Sequence, residues 1–181
     1  MSMLYKTAPD FVPRPVGYGT YASDANIHFF LCDFRKMTTD LPDVTRFTAE
    51  LARVHQLNIH PGGLYGFHLP TYHGNVPVDE GWSETWEAYF IKTTRSLLQM
   101  EESVQGPSEE LKGLAEPFFT KVVPRLLRPL EVGTNGIKST LIHGDLWHAN
   151  TGVDLDTGLP VVFDAACFYA HNECQQPVDL M

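Results

Sequence analysis

The 181-residue chain is short of positive charge: 13 lysines and arginines stand against 22 acidic residues, a formal net charge of −9. That sign opposes the phosphate backbone of a nucleic acid, so a nucleic-acid partner is not expected. Cysteine is scarce too, with Cys32, Cys167 and Cys174 the only three and no CxxC pair among them. Neither a disulfide framework nor a zinc knuckle can be assembled from that set, and free thiols in a reducing cytoplasm are the expectation. No run approaches the roughly 20 apolar residues of a membrane span, and Met1–Asp10 has no signal-peptide core, so no membrane partner is expected. Repeats and low-complexity tracts are also missing, while 43% hydrophobic and 12% aromatic content predicts one packed globular domain.

What is present reads in segments. Residues 8–19, APDFVPRPVGYG, hold three prolines and two glycines and are expected to be an irregular entry segment. Ile27–Phe34 is aromatic and β-branched, which predicts a strand buried on both sides at Phe29, Phe30 and Leu31. After Pro42-Asp43 the spacing of Phe47, Leu51 and Val54 predicts an amphipathic helix to about Leu57. Residues 58–81 read as a long ordered loop. A helix capped by Ser83 is predicted to about Glu101, with Trp86, Tyr89, Phe90, Thr93, Leu97 and Met100 in period. Another follows Ser108, with Leu111, Leu114, Phe118, Val122 and Leu126 on one face and Pro117 and Pro124 bending or breaking it. Short strands at Thr140–Ile142 and Val161–Phe163, around the turn-rich DLDTGLP, complete the pattern with a small hairpin.

The chemistry concentrates in this last stretch. In LIHGDLWHAN, Asp145 precedes Asn150 by five residues, and Asp164 ends the apolar run VVFD fourteen positions later. Phosphoryl transfer from ATP needs a carboxylate to take the proton of the attacking hydroxyl, and hard oxygen ligands to hold Mg²⁺ against the phosphates. Protein kinases set their catalytic-loop aspartate and asparagine at the same offset, with a later metal-binding aspartate. DLDTG does not complete a calcium loop, because Ala165 stands at the twelfth position. The eight histidines make no HExxH or other compact zinc pattern.

These words resemble a known family. HGDLWHAN at 143–150 and FDAACFYAHNE at 163–173 are similar to the HGDLW-x-x-N and FDPA-x-FYGH-x-E segments of the fructosamine-3-kinase (ketosamine-3-kinase, protein-ribulosamine 3-kinase) family. GGLYGFHLPTYHG, with Trp82 and Trp86, resembles that family's glycine-rich substrate-side segment and tryptophan helix. FLCDF at 30–34 resembles its adenine-contacting hinge, and the likeness runs over about residues 10–173.

The resemblance implies an α+β, protein-kinase-like fold of the aminoglycoside phosphotransferase type. Residues 1–40 would be a residual amino-terminal lobe with the hinge, and 41–181 an incomplete carboxyl-terminal lobe. It implies Asp145 as proton acceptor for the 3-hydroxyl of a ketosamine, Asn150 and Asp164 on Mg²⁺, and His143 bracing the loop. Cys32, Asp33 and Phe34 would offer backbone groups to the adenine of ATP, and Trp147 and His148 would face substrate. Glycated proteins or small ketosamines are the implied substrates, phosphorylated so that the unstable ester decomposes and frees the amine, a protein repair. The family's pattern also includes a glycine-rich loop and a strand lysine; Lys6 has no strand around it, Gly17-Tyr18-Gly19 lacks a phosphate loop's context, and CQQPVDLM departs from the family at the other end. A chain truncated at both ends, weak or inactive alone, is therefore expected. Another small-molecule kinase of the aminoglycoside or choline type, and a non-catalytic remnant or binding module, are the alternatives.

Overall fold

The computed structural model describes residues 1–38, 40–74, 76–78, 81–132 and 136–175. They form an α+β chain whose strand pairings are all antiparallel. A short helix, α1 (Ser2–Thr7), leads into a hairpin of β1 (Pro15–Tyr21) and β2 (Asp24–Cys32). The expected irregular segment is thus partly strand. Pro15 opens β1, a position where its missing N–H removes no ladder bond. The expected burial of the second strand is also corrected: Phe29, Phe30 and Leu31 are 43%, 46% and 55% exposed. The hairpin pairs only with itself among the described residues, so neither face of β2 meets a covering layer.

After β3 (Met37–Thr38), α2 (Val44–Leu57) starts where the sequence predicts, with the Asp43 carboxylate accepting from the Arg46 N–H at 2.9 Å. The predicted loop instead carries β4 (Tyr65–Gly66), β5 (Thr71–His73) and β6 (Val76–Val78), and β7 (Trp82–Ser83) follows it. Because Ser83 belongs to β7, the cap of α3 (Trp86–Gln105) passes to Thr85, whose hydroxyl accepts from the Ala88 N–H at 3.1 Å. Next comes one long helical stretch: α4 (Glu109–Pro117), a π turn at Phe118–Val122, and α5 (Val123–Glu131). The π turn lies between Pro117 and Pro124, neither of which can donate to the carbonyl four residues back. The helix therefore absorbs both prolines without breaking. Its inner face is also one residue out of phase with expectation, since Ala115, Phe119, Val123 and Leu127 turn inward while Leu114, Val122 and Leu126 are exposed. The remaining elements are β8 (Ser139–Ile142), a 3₁₀ turn at His148–Asn150, β9 (Thr151–Asp154), β10 (Pro160–Val162), β11 (Phe168–His171) and a 3₁₀ turn at Asn172–Cys174. The expected hairpin is made by β9 and β10, not by the strand at 139–142.

The chain divides into two compact units, each discontinuous in sequence. One comprises Met1–Asn58, His143–Cys167 and Gln175–Met181. Its three-stranded sheet has the order β10-β9-β3, and its core gathers Leu4, Ala8, Phe11, Val12, Phe47, Val54, Leu146, Val161 and Val162. The Phe11 and Phe47 rings meet at 5.8 Å, and the Val162 N–H donates to the Phe11 carbonyl at 2.9 Å.

Buried Asp154 closes the β9–β10 turn by accepting from the Asp156 and Thr157 N–H groups, the Thr157 hydroxyl and the Arg35 guanidinium. The Arg35 hydrogen bond, chiefly, holds its carboxyl below the usual aspartate range. Asp154→Asn keeps the acceptors for the turn and removes the ion pair, so a loss of about 1–2 kcal/mol in a urea melt is expected.

The other unit, Ile59–Ile142 with Phe168–Cys174, holds the sheet β7-β4-β11-β8 and the hairpin β5-β6. Tyr65, Trp86, Tyr89, Ile142, Phe168 and Ala170 form its core, with Leu127 and Ile137 packed against them. Arg95 joins α3 to the long helix by a two-pronged pair with Glu116 (2.5 and 3.1 Å), its guanidinium 4.3 Å from the Phe119 ring centre.

Candidate active site

The polar residues of the HGDLWHAN and VVFD words lie together in the first unit, held by side chain to backbone bonds. The 3₁₀ turn, closed by the Asn150 N–H on the Trp147 carbonyl (3.0 Å), folds Asn150 back over the loop. Its Nδ2 donates to the Asp145 carbonyl at 2.9 Å and to Asp145 Oδ2 at 3.0 Å. The five-residue spacing is what allows this return. With both amide protons used, Asn150 Oδ1 is left without a donor among the described residues, as is Asp145 Oδ1.

The β9–β10 pairing brings the second word alongside. The Phe163 N–H donates to the Asn150 carbonyl at 3.1 Å, and Asp164 is the next residue. His143 ties the two words: its Nε2 donates to the Phe163 carbonyl at 2.9 Å, while its Nδ1 accepts from the Asp145 N–H at 3.3 Å. That pattern selects the neutral ring protonated on Nε2, and burial pushes the His143 pKa down to about 4. The imidazole therefore spans the two segments as a neutral strut and is not placed for proton transfer. Asp164 sits in the left-handed region at φ +57, which aspartate tolerates better than most residues. Its exposed carboxylate has no partner among the described residues.

Trp147 and His148 are exposed on the same loop, their rings at 4.9 Å. Cys32 is the last residue of β2, Asp33 and Phe34 follow it, and no hydrogen bond or ion pair joins the three to the loop among the described residues. The Asp33 N–H is committed to the Arg14 carbonyl at 2.9 Å, and its carboxylate to the Arg14 guanidinium at 2.8 and 3.1 Å. The Phe34 N–H and the Asp33 and Phe34 carbonyls have no hydrogen-bond partner among the described residues, one donor and two acceptors. Lys6 lies in α1 and Gly17–Gly19 in β1, so neither takes part in a phosphate loop. Two partners escaped the sequence: the Phe163 carbonyl, a backbone group, and Gln175, whose side-chain oxygen accepts from the His143 N–H.

Asn150 Oδ1 and Asp164 offer two hard oxygen donors, and Mg²⁺ commonly takes one or two protein oxygens and completes its shell from phosphates and water. The donor set fits that ion. The described residues contain no group of three or more His, Cys, Asp and Glu suited to a metal.

The architecture has solved counterparts. A candidate fructosamine-3-kinase from Thermobifida fusca superposes with a TM-score of 0.70 at 20% identity, over 96% of this chain and 55% of that one. Another, from Haemophilus somnus, gives 0.66 at 20% identity, over 96% and 54%. The fold is therefore that of fructosamine-3-kinase-like proteins. Over residues 1–178 the sequence matches the fructosamine kinase family, and the chain belongs to it. Among curated relatives, a rice (Oryza sativa subsp. indica) chloroplastic protein-ribulosamine 3-kinase is 26% identical over 97% of this chain and 48% of its own length. A mouse (Mus musculus) ketosamine-3-kinase is 36% identical over 60% and 33%. The chain spans about half the length of the rice relative and aligns with a third of the mouse one. No described helix is long and apolar enough to cross a membrane.

Proposed function

We propose that this chain carries the catalytic loop of an ATP-dependent ketosamine 3-kinase acting on fructosamines or ribulosamines of glycated proteins or small amines. One observation carries the reading: Asp145, Asn150, His143 and the Phe163–Asp164 peptide are joined in one hydrogen-bonded network. Asn150 engages Asp145 Oδ2, so Oδ1 is the oxygen left to orient the sugar 3-hydroxyl and take its proton as the oxygen attacks the γ-phosphorus. The new O–P bond forms as the bond to the bridging oxygen breaks, releasing ADP. Mg²⁺, held by Asn150 and Asp164, would neutralise phosphate charge.

Trp147 and His148 would line the ketosamine side, and Cys32, Asp33 and Phe34 would offer backbone groups to the adenine edge. The phosphate ester then decomposes to release the amine. In this reading residues 1–40 act as amino-terminal lobe and hinge, and 41–181 as the carboxyl-terminal lobe, all in the cytoplasm. Because the 181 residues contain no glycine-rich loop with a strand lysine, the chain alone turns over weakly: missing phosphate donors cost at least about 10²-fold.

The test is ATP binding by calorimetry, with and without Mg²⁺, beside an assay with fructosyl-lysine. Binding that needs Mg²⁺ and weakens at least about tenfold in Asp164→Asn is expected, with turnover about 10²-fold or more below a full-length relative and lost in Asp145→Asn. Binding indifferent to Mg²⁺ and to Asp164→Asn refutes the site. Turnover equal to that relative refutes the weakness.

A further inference from the structure

Ladder pairing of β8 with β11 ends at Ile142, opposite Phe168, so the next backbone N–H, that of His143, has no strand carbonyl to meet. His143 is only 3% exposed, and a buried N–H left unpaired costs about 1–3 kcal/mol. The side-chain oxygen of Gln175 accepts it. Gln175 is itself 4% exposed, stands 32 residues further along the chain and belongs to the same unit.

That anchor stands at the head of a short relay. Gly144, at φ +83°, turns the chain so that the Asp145 N–H reaches back to His143 Nδ1 at 3.3 Å, while His143 Nε2 is tied to the Phe163 carbonyl at 2.9 Å. On its other side Asp145 is gripped by Asn150, through its carbonyl at 2.9 Å and Oδ2 at 3.0 Å. The two peptide groups that flank Asp145 are thus fixed separately, and the direction of Oδ1 follows from both. Asn150 fixes the second. The first depends on how His143 is held, and Gln175 holds His143 by its backbone.

We infer that Gln175 is a positioning residue for phosphoryl transfer: by holding the His143 peptide it sets the direction of Asp145 Oδ1 without touching substrate or Mg²⁺. The inference rests on the role proposed above for Asp145. Its effect belongs to kcat, because a reacting group misplaced by about 1 Å can cost about 10²-fold. Asn150 and Asp164 keep their own ties, the Asn150 N–H on the Trp147 carbonyl and the Phe163 N–H on the Asn150 carbonyl, so MgATP binding should not follow.

Gln175→Met keeps the length of the side chain and removes the amide oxygen. With fructosyl-lysine and radiolabelled ATP, kcat should fall at least about tenfold, while KM for the ketosamine and Kd for MgATP stay within about threefold. Gln175→Glu keeps an acceptor oxygen whether or not it is ionised, and should recover kcat to within about threefold of wild type. Phe47→Leu, a core change in the same unit, also lowers the urea midpoint but should leave kcat within about twofold, which separates positioning from stability. Amide hydrogen exchange reads the relay without turnover. In Gln175→Met the Asp145 N–H should exchange at least about tenfold faster relative to the Val162 N–H, which is bonded within the core of the same unit. An unchanged kcat in Gln175→Met, a loss carried by KM alone, or no recovery in a folded Gln175→Glu overturns the inference. So does an Asp145 N–H whose exchange rises only in step with that of Val162. A wild-type chain without turnover, whose Asp145 N–H is still released by Gln175→Met, sinks the catalytic reading while upholding the anchor.

Discussion

Gly66→Ala is expected to cost at least about 4 kcal/mol, a large share of the roughly 5–15 kcal/mol that holds a domain folded. A methyl group at this position would stand 1.9 Å from the Gly81 carbonyl oxygen and 2.9 Å from its carbon. The backbone φ is +125°, where an L side chain is strained even in open space. Nor can β4 move aside, because Gly66 pairs with Trp82 on one side and Tyr169 on the other. Retreat from Gly81 gives up one of these ladders. The glycine also leaves room for the ring packing across it: His60 lies 4.9 Å from Trp82 and 4.8 Å from Tyr169. Gly63→Ala is the control. Its φ is +66° and nothing lies within 4 Å of the added carbon, so it should lose only about 1–2 kcal/mol. Urea melts followed by circular dichroism decide the matter, and a Gly66→Ala midpoint near that of Gly63→Ala would contradict the close approach.

A fall in stability of about 3 kcal/mol between pH 6.5 and pH 4 is the second large effect, and it belongs to His143. Its pKa drops from 6.5 to about 4 on folding, since burial disfavours the cation more than the Phe163 carbonyl and Asp145 favour it. The unfolded chain therefore binds a proton across this window that the folded chain refuses, and stability rises with pH there. The loss starts as pH falls through 6.5 and is complete below about 4. His143→Gln removes the titration and should flatten most of that slope while lowering stability near neutral pH. A shallow remainder of the same sign is expected from His55, whose pKa burial also lowers. The Asp154 contribution works in a separate, more acidic range: a depressed carboxyl stabilises above the ordinary aspartate value and is lost as pH falls below it. An unchanged slope in His143→Gln would mean that the ring is not held neutral.

That Asp145 and Asn150 meet, with Asp164 one residue from their network, could be read from the sequence because a single turn and a single hairpin suffice to enforce that spacing. Asp43 at the start of α2 was legible for the same local reason. His143 was identifiable as a brace, but its partners were not: the Phe163 carbonyl looks the same in any sequence, and Gln175 lies outside the two motifs from which the site was read. The apolar run of β2 reported a preference for burial without reporting whether a covering layer exists. In the long helix, two ridges of apolar residues run one position apart, and composition alone cannot choose between Leu114–Leu126 and Ala115–Leu127. Two-residue strands such as β4 and β7 are too short to show alternation, so residues 58–81 read as loop.

The discontinuity of both units bears on synthesis. The first waits for His143–Cys167 before β9 and β10 can join β3, and the second waits for Phe168–Cys174 before β11 can enter between β4 and β8. At about 5–20 residues per second the ribosome needs roughly 4 to 17 s to pass from Ile59 to Ile142. Over that interval the nascent β1–β2 hairpin and α2 lack the strands that complete their unit, so a chaperone that clasps emerging apolar segments should meet this chain early and release it only after Cys174 has left the exit tunnel.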